Sequence, residues 1–367
     1  MKRSILLLIS HSCNLTCKYC YERFKDSRKM TLDRAIEILE REFSEDAEGI
    51  TNVDLLGGEP LSNYSIIPHI CKWIWEHNPQ MQIFIRTNGT LLSGEMKNWF
   101  SRHNKLLGLG LSIDGTPETN YFNRGVKEAD LDFFYQYWPD VPVKLTVFPQ
   151  SVDSLFDSLV YLYGRGFNVI GGLAQGVKWN KEACSILNRQ MEKLVDYYLS
   201  NPQISPIEPL FALGFEHAFE IPTSGQPSEK PCWERQIVHT FDCEKEMLPC
   251  HMFSTIVQGK EKRSLILKAA ADLKEEKIDA SCRECPIRWS CTNCMAMNYQ
   301  HFGDFGININ KQYACSAHKI TAYWSASLLA SFAIKNRIDF SASEKVNAVR
   351  KAIAVSYTHL TLPTIRL

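Results

Sequence analysis

The chain has 367 residues, 45% of them hydrophobic and 11% aromatic, which excludes a disordered protein and is too much for one ordinary small domain. Its 41 basic side chains equal its 41 acidic ones, so no net field draws it to nucleic acid, and no nucleic-acid partner is expected. No apolar stretch is long enough to span a bilayer, so no membrane partner is expected either.

The start has a basic tip and an apolar run, Ile5 to Ile9, that mimics an export signal. The run is too short, and no small-residue cleavage site follows it. A buried strand over residues 4–9 fits better. Further strand-like runs occur at 52–56, 82–85, 108–113, 143–148 and 168–172. Helical patterns lie between them. Thr31 caps one whose apolar face is Ala35, Ile36, Ile38, Leu39 and Phe43; others cover about 65–77, 93–103, 153–163 and 181–199. Six strands, each followed by a crossover, predict an α/β fold with a parallel sheet or partial (β/α)6 TIM-type barrel. In such folds the loops after the strands build the site. Residues 201–231 turn rich in proline, serine and glycine, which marks a boundary.

Thirteen cysteines are unevenly placed: three fall within residues 13–20 and eight lie from Cys232 to Cys315. Without an export signal, a reducing cytoplasm is the expected location, and clustered cysteines there read as metal ligands. Cys13, Cys17 and Cys20 follow the first strand. Three thiolates on one loop reach three corners of a [4Fe–4S] cubane and leave one iron open for a chelating substrate. Zinc is the rival ligand, but it usually takes four donors, and only His11 is near. A redox CxxC accounts for Cys17 and Cys20 and leaves Cys13 idle. Cys71 and Cys184 fall in helical patterns and read as core residues.

Cys13-Asn-Leu-Thr-Cys17-Lys-Tyr-Cys20-Tyr21 resembles the signature of radical S-adenosylmethionine (SAM) enzymes, and the resemblance extends over about residues 3–200. It implies that the methionine end of SAM chelates the open iron. An electron from the cluster then cleaves SAM to methionine and a 5′-deoxyadenosyl radical that abstracts hydrogen from a substrate. By the same resemblance Gly58 and Glu59, in Gly57-Gly58-Glu59-Pro60, serve the methionine amino group. Ser112 and Asp114 lie near the ribose and methionine moieties, and Arg124 near the methionine carboxylate. Asn88 is a further cofactor candidate that its Thr-Asn-Gly-Thr turn explains equally. For Tyr21, adenine contact and plain aromatic packing are both open.

Cys282-x2-Cys285-Pro286-x4-Cys291-x2-Cys294, followed by Cys315 and preceded by Cys232 and Cys250, resembles the SPASM extension of radical peptide-modifying enzymes. That resemblance implies a small cysteine-rich C-terminal domain with two auxiliary [4Fe–4S] clusters. Cys282, Cys285, Cys291 and Cys315 would hold one, and Cys232, Cys250 and Cys294 the other, with its fourth ligand open or supplied by Cys243. The pattern departs from the family in three places. The gap from Cys291 to Cys294 is short, Lys245 replaces a usual glycine, and one early cysteine is absent. Two structural zinc sites in a noncatalytic module are the rival reading.

The resemblance implies a domain division into 1–215, a radical SAM core, and 216–354, the auxiliary-cluster domain. Residues 355–367 resemble translated sequencing adapter and are expected not to be native. Enzymes with this extension mostly act on peptides or proteins, forming thioether or carbon–carbon crosslinks, or formylglycine in sulfatases. A peptide or protein substrate and an electron donor such as flavodoxin or ferredoxin are therefore the implied partners. Sulfatase maturases carry an aspartate base directly after the cysteine matching Cys250. Here the residue is His251, for which a base and a structural histidine are both open. The chain starts at its first strand, so a leader peptide is expected to bind the core, residues 201–231 or a separate partner.

Overall fold

The structure, a computed structural model, describes residues 2–127, 129–211, 238–244, 247–283, 285, 287–288, 291 and 293–335. Cys232, Lys245, the expected domain boundary at 215 and the tail 355–367 lie outside the described residues. The strands are β1 (Arg3–Ser10), β2 (Ile50–Gly57), β3 (Gln82–Thr87), β4 (Leu107–Leu111), β5 (Val143–Val147), β6 (Val169–Leu173), β7 (Glu208–Pro209), β8 (Val238–Phe241) and β9 (Met247–Leu248). The helices through the first part are α1 (Leu32–Asp46), α2 (Ile67–His77), α3 (Gly94–Arg102), α4 (Pro117–Arg124), α5 (Leu131–Tyr137), α6 (Leu155–Gly164) and α7 (Lys181–Ser200). Later come α8 (Thr255–Gln258), α9 (Lys260–Ala271), α10 (Met295–Phe302), α11 (Ile309–Tyr313) and α12 (Cys315–Lys335).

All six expected strands form, as β1 to β6, and the α/β architecture with parallel pairing holds. Thr31 caps α1 as its sequence suggests, accepting from the Arg34 backbone N–H. The chain divides into two compact units, each described by itself.

The first unit comprises residues 1–113, 124–143 and 230–276. Its sheet has the order β4-β3-β2-β1-β8-β9. Every pairing is parallel except β8 with β9. β1 is central, with Leu7 opposite Leu55 on one side and Phe241 on the other. Ile5, Leu7, Leu8 and Ile9 are all buried, as a strand covered on both faces requires. Each such side chain contributes about 1.5–3 kcal/mol on burial. Parallel pairing puts the C-terminal ends of β1 to β4 on one edge, so the cysteine loop, Gly58-Glu59, Asn88 and Ser112 all leave that edge.

The second unit comprises residues 114–123, 144–229 and 277–367. It contains the sheet β5-β6-β7. Gly171 in β6 cannot carry a side chain, because a Cβ there would stand 1.9 Å from the Leu145 carbonyl oxygen of β5. α7 buries Leu187, Met191 and Leu194. It packs against α12, where the Trp324 indole donates to Asn188 Oδ1 at 2.9 Å. Cys184 is buried in α7 and Cys71 in α2, both core positions as expected. Among the described residues, no helix is long and apolar enough to cross a membrane.

Candidate functional site

Cys13, Cys17 and Cys20 stand half-buried on the loop that leaves β1. Leu15, buried within that loop, anchors it, and its N–H lies 3.4 Å from Cys13 Sγ. The Cys20 N–H donates to the Cys17 carbonyl at 3.1 Å. Burial pushes the Cys13 thiol up to about 11, opposed by the Leu15 N–H and the Lys25 ammonium, while neighbouring Glu59 and Cys17 push it further up. Lys25 Nζ donates to Cys20 Sγ at 3.3 Å, so a cation stands beside one of the three sulfurs. Among the described residues, no three Cys, His, Asp or Glu side chains converge on one point that a single ion could occupy. A cubane asks for one thiolate per iron instead, and three sulfurs spread over a short loop fit that demand.

The Gly-Gly-Glu turn after β2 lies directly against this loop. Gly58 N donates to the Ser10 carbonyl and Glu59 N to the Ser12 carbonyl, each at 2.8 Å. A Cβ at Gly58 would stand 2.7 Å from Ser12 O and 3.1 Å from Cys13 Cβ. Glycine is therefore required by the approach of two backbones, as its place in the motif suggested. Glu59 is 1% exposed. Its Oε1 accepts from Thr87 Oγ1 at 2.6 Å and Leu61 N at 3.0 Å, and its Oε2 from Asn88 N at 2.8 Å. Burial pushes its carboxyl up, and these three donors oppose the shift. A carboxylate offers about four acceptor directions. Two of the three bonds join this turn to the end of β3 and its loop, and the third caps the turn itself, which leaves one direction on Oε2.

Asn88 does more than shape its turn. Its Oδ1 accepts from Thr90 N at 3.0 Å, and its Nδ2 donates to Asn14 Oδ1 at 3.0 Å. Asn14 in turn donates to Thr90 Oγ1 at 2.7 Å, so the turn after β3 grips the cysteine loop. Ser112 is half-buried, and its N–H donates to the Thr87 carbonyl at 2.9 Å. Arg124 is buried, with its guanidinium 5.6 Å from the Tyr19 ring centroid of the cysteine loop. Tyr21 and His251 come together, their ring centroids 6.3 Å apart. Cys250 immediately precedes the short turn His251–Phe253. Cys243 Sγ lies 3.6 Å from the Leu8 carbonyl, and burial pushes its thiol up to about 12. His11 is wholly buried, with Asp26 and Asp242 each 3.8 Å away.

The second unit holds Asp114 and the later cysteines. Asp114 is buried; its Oδ1 accepts from Thr146 N at 3.0 Å and its Oδ2 from Asn123 Nδ2 at 3.1 Å. It therefore ties the end of α4 to β5, beside a small pocket that Asn123, Thr146, Ser151 and Ser154 also line. Cys282, Cys285, Cys291 and Cys315 form a group. Burial pushes the Cys291 thiol up to about 12, and the neighbouring Cys315, Cys285 and Cys282 add to it. Cys294 sits at the N-terminus of α10. Two contacts went unanticipated in the sequence: Asn308 Nδ2 lies 3.7 Å from Cys282 Sγ, and Asn310 Nδ2 3.7 Å from Cys291 Sγ. Their alternation in Gly306-Ile-Asn-Ile-Asn310 was the only available hint.

Comparison with known proteins meets this geometry. The radical SAM superfamily pattern matches residues 7–133, which span the cysteine loop, the Gly-Gly-Glu turn, Asn88, Ser112, Asp114 and Arg124. The chain carries a radical SAM domain. A cysteine-type anaerobic sulfatase-maturating enzyme of Clostridium novyi is 31% identical over 130 residues, covering 32% of this chain and 34% of that protein. The chain spans about a third of the length of the curated relatives it matches, 39% and 34% for two of them. Among solved structures, native anSMEcpe with bound AdoMet superposes with a TM-score of 0.64 at 16% identity, covering 91% of this chain and 100% of that one. SuiB of Streptococcus suis bound to its precursor peptide SuiA gives 0.58 at 15% identity, covering 83% and 74%. The radical SAM domain thus shares its fold with these maturases, and the cysteine-rich C-terminal region fits a SPASM extension.

Proposed function

We propose that this chain is an enzyme that reductively cleaves SAM and directs the 5′-deoxyadenosyl radical at a side chain of a peptide or protein. The observation that carries the reading is the three-cysteine loop held against Gly58 and Glu59. Cys13, Cys17 and Cys20 would hold a [4Fe–4S] cluster, which when bound supplies the open iron and the electron for this chemistry. The chain's own groups do the rest. The free acceptor direction of Glu59 Oε2 binds an ammonium group, and the buried Arg124 guanidinium balances a carboxylate. Asn88 fixes the loop that carries the sulfurs, while Asp114 and Ser112 serve the sugar end. Tyr21 offers a ring face beside His251, and His251 takes the position of a base.

The peptide class is supported by the second cysteine set and by the solved relatives that bind peptides, SuiB with SuiA and anSMEcpe with the Kp18Cys peptide. Within that class we place a crosslinking maturase, thioether or carbon–carbon, ahead of formylglycine formation. The fold likeness to anSMEcpe favours the latter, but His251 stands where sulfatase maturases carry aspartate. Electrons would come from a donor such as flavodoxin or ferredoxin, and the auxiliary cysteines would hold two further clusters. The experiment is anaerobic reconstitution followed by dithionite and SAM. Roughly twelve irons per chain and release of 5′-deoxyadenosine are expected, and Cys17→Ala should abolish the release. Iron-replete protein that leaves SAM intact, or a preparation holding zinc without labile sulfide, rejects the reading.

A further inference from the structure

We infer that Asn308 and Asn310 are hydrogen-bond donors to the sulfur ligands of the auxiliary cluster assigned to Cys282, Cys285, Cys291 and Cys315, and that they raise its reduction potential. The inference rests on the auxiliary-cluster reading proposed above.

Both asparagines are buried, at 6% and 3% exposure. A buried primary amide must place its donors somewhere. For Asn308 the direction is decided by the backbone. Its Oδ1 caps α11, accepting from Asn310 N at 2.9 Å and Lys311 N at 3.4 Å. Turning the amide over would set an NH2 group against two N–H donors, so the oxygen is locked at the cap. The nitrogen then projects the other way, to 3.7 Å from Cys282 Sγ. Asn310, two residues on, presents Nδ2 at 3.7 Å from Cys291 Sγ.

A third asparagine holds this segment in place. Asn298, fully buried on α10, accepts from Ile309 N with its Oδ1 and donates to the Phe305 carbonyl with its Nδ2, each at 2.9 Å. The turn bearing Asn308 and Asn310 is thereby pinned to the helix that begins at Cys294. Asp279, the acid near Cys282, is paired with Lys311 Nζ at 3.0 Å.

Reduction of an iron–sulfur cluster adds negative charge that spreads onto its sulfurs. N–H donors aimed at those sulfurs therefore favour the reduced form. A cluster so surrounded is suited to accepting an electron, which separates its role from one of substrate ligation.

The test uses the full chain with Cys13, Cys17 and Cys20 replaced by Ala, so that only the auxiliary clusters contribute to an EPR-monitored redox titration. Asn308→Ser keeps a capping oxygen and loses the amide; Asn310→Leu keeps the side-chain volume and leaves the cap intact. With iron and sulfide retained, each variant should disfavour reduction in one titration wave by about tenfold, equal to about 59 mV for one electron, and leave the other wave in place. Unchanged waves in both variants overturn the inference. Loss of iron from both also overturns it, because the asparagines would then be structural supports. Zinc without sulfide in the parent protein instead rejects the auxiliary-cluster reading on which the inference stands.

Discussion

The side-chain amide of Asn88 donates to Asn14 Oδ1 at 3.0 Å, which couples the turn after β3 to the loop that carries Cys13, Cys17 and Cys20. Asn88 is 9% exposed while Asn14 is exposed, so this bond is screened from water on one side only. Asn88→Ala removes it, along with the acceptor for Thr90 N. The expected cost is about 1 kcal/mol per bond. Reconstituted protein should release iron to a chelator severalfold faster than the parent, followed by its visible absorbance.

Glu59 is surrounded by donors only. Glu59→Gln keeps the shape but turns an NH2 group toward at least one of them. An unsatisfied buried donor costs about 1–3 kcal/mol. Chemical denaturation should show that loss, and equilibrium dialysis should show weakened SAM binding. Stability and affinity both unchanged would remove Glu59 from the site.

Gly58→Ala tests the approach of the two backbones. The added Cβ meets Ser12 O at 2.7 Å, a backbone atom that cannot swing aside. Displacement of the cysteine loop should follow, with iron incorporation well below that of the parent. Full incorporation with native melting behaviour would show that the loops are not held this tightly.

His251 separates the two halves of the proposed reaction. If it acts as a base on the substrate, His251→Ala should still form 5′-deoxyadenosine at a rate near the parent's while peptide product falls by at least about a hundredfold, the lower end of the usual range for acid–base groups. Equal loss of both products would make the residue structural, through its neighbour Tyr21.

His318 on α12 is buried, and desolvation pushes its pKa down from 6.5 to about 4. Above its unfolded value both states are neutral and nothing changes. Below it the unfolded chain takes up the proton first, so stability falls as pH drops toward the folded value, by up to about 1.4 kcal/mol per pH unit. Denaturation midpoints between pH 7 and pH 4 should decline less steeply in His318→Leu than in the parent.

Much of this site is local in the chain. The spacing of Cys13, Cys17 and Cys20, the glycines of the second turn and the apolar runs of β1 to β6 are set by geometry within a few residues. Helix capping by Thr31 is equally local. The short strands were hidden for a related reason. β8 has four residues and β9 two, too few to show periodicity, and β8 exists because β1 offers a free edge to pair with. α4 and α5, of eight and seven residues, are likewise too brief to stand out.

What the sequence alone determined is which residues are the candidates for the chemistry: three cysteines after a buried strand, a Gly-Gly-Glu turn, and a second cysteine set of fixed spacing. These are constraints of bond length and residue type, and they survive without knowledge of the fold. Only the tertiary structure decided how the cysteine loop is gripped. Glu59 accepts three donors drawn from two loops. Asn88 reaches across 74 residues of chain to Asn14. Asn308 spans 26 residues to meet Cys282. Apart from the local Leu61 bond to Glu59, each joins groups far apart in sequence, and a hydrogen bond depends on distance and direction in space, which no local pattern encodes.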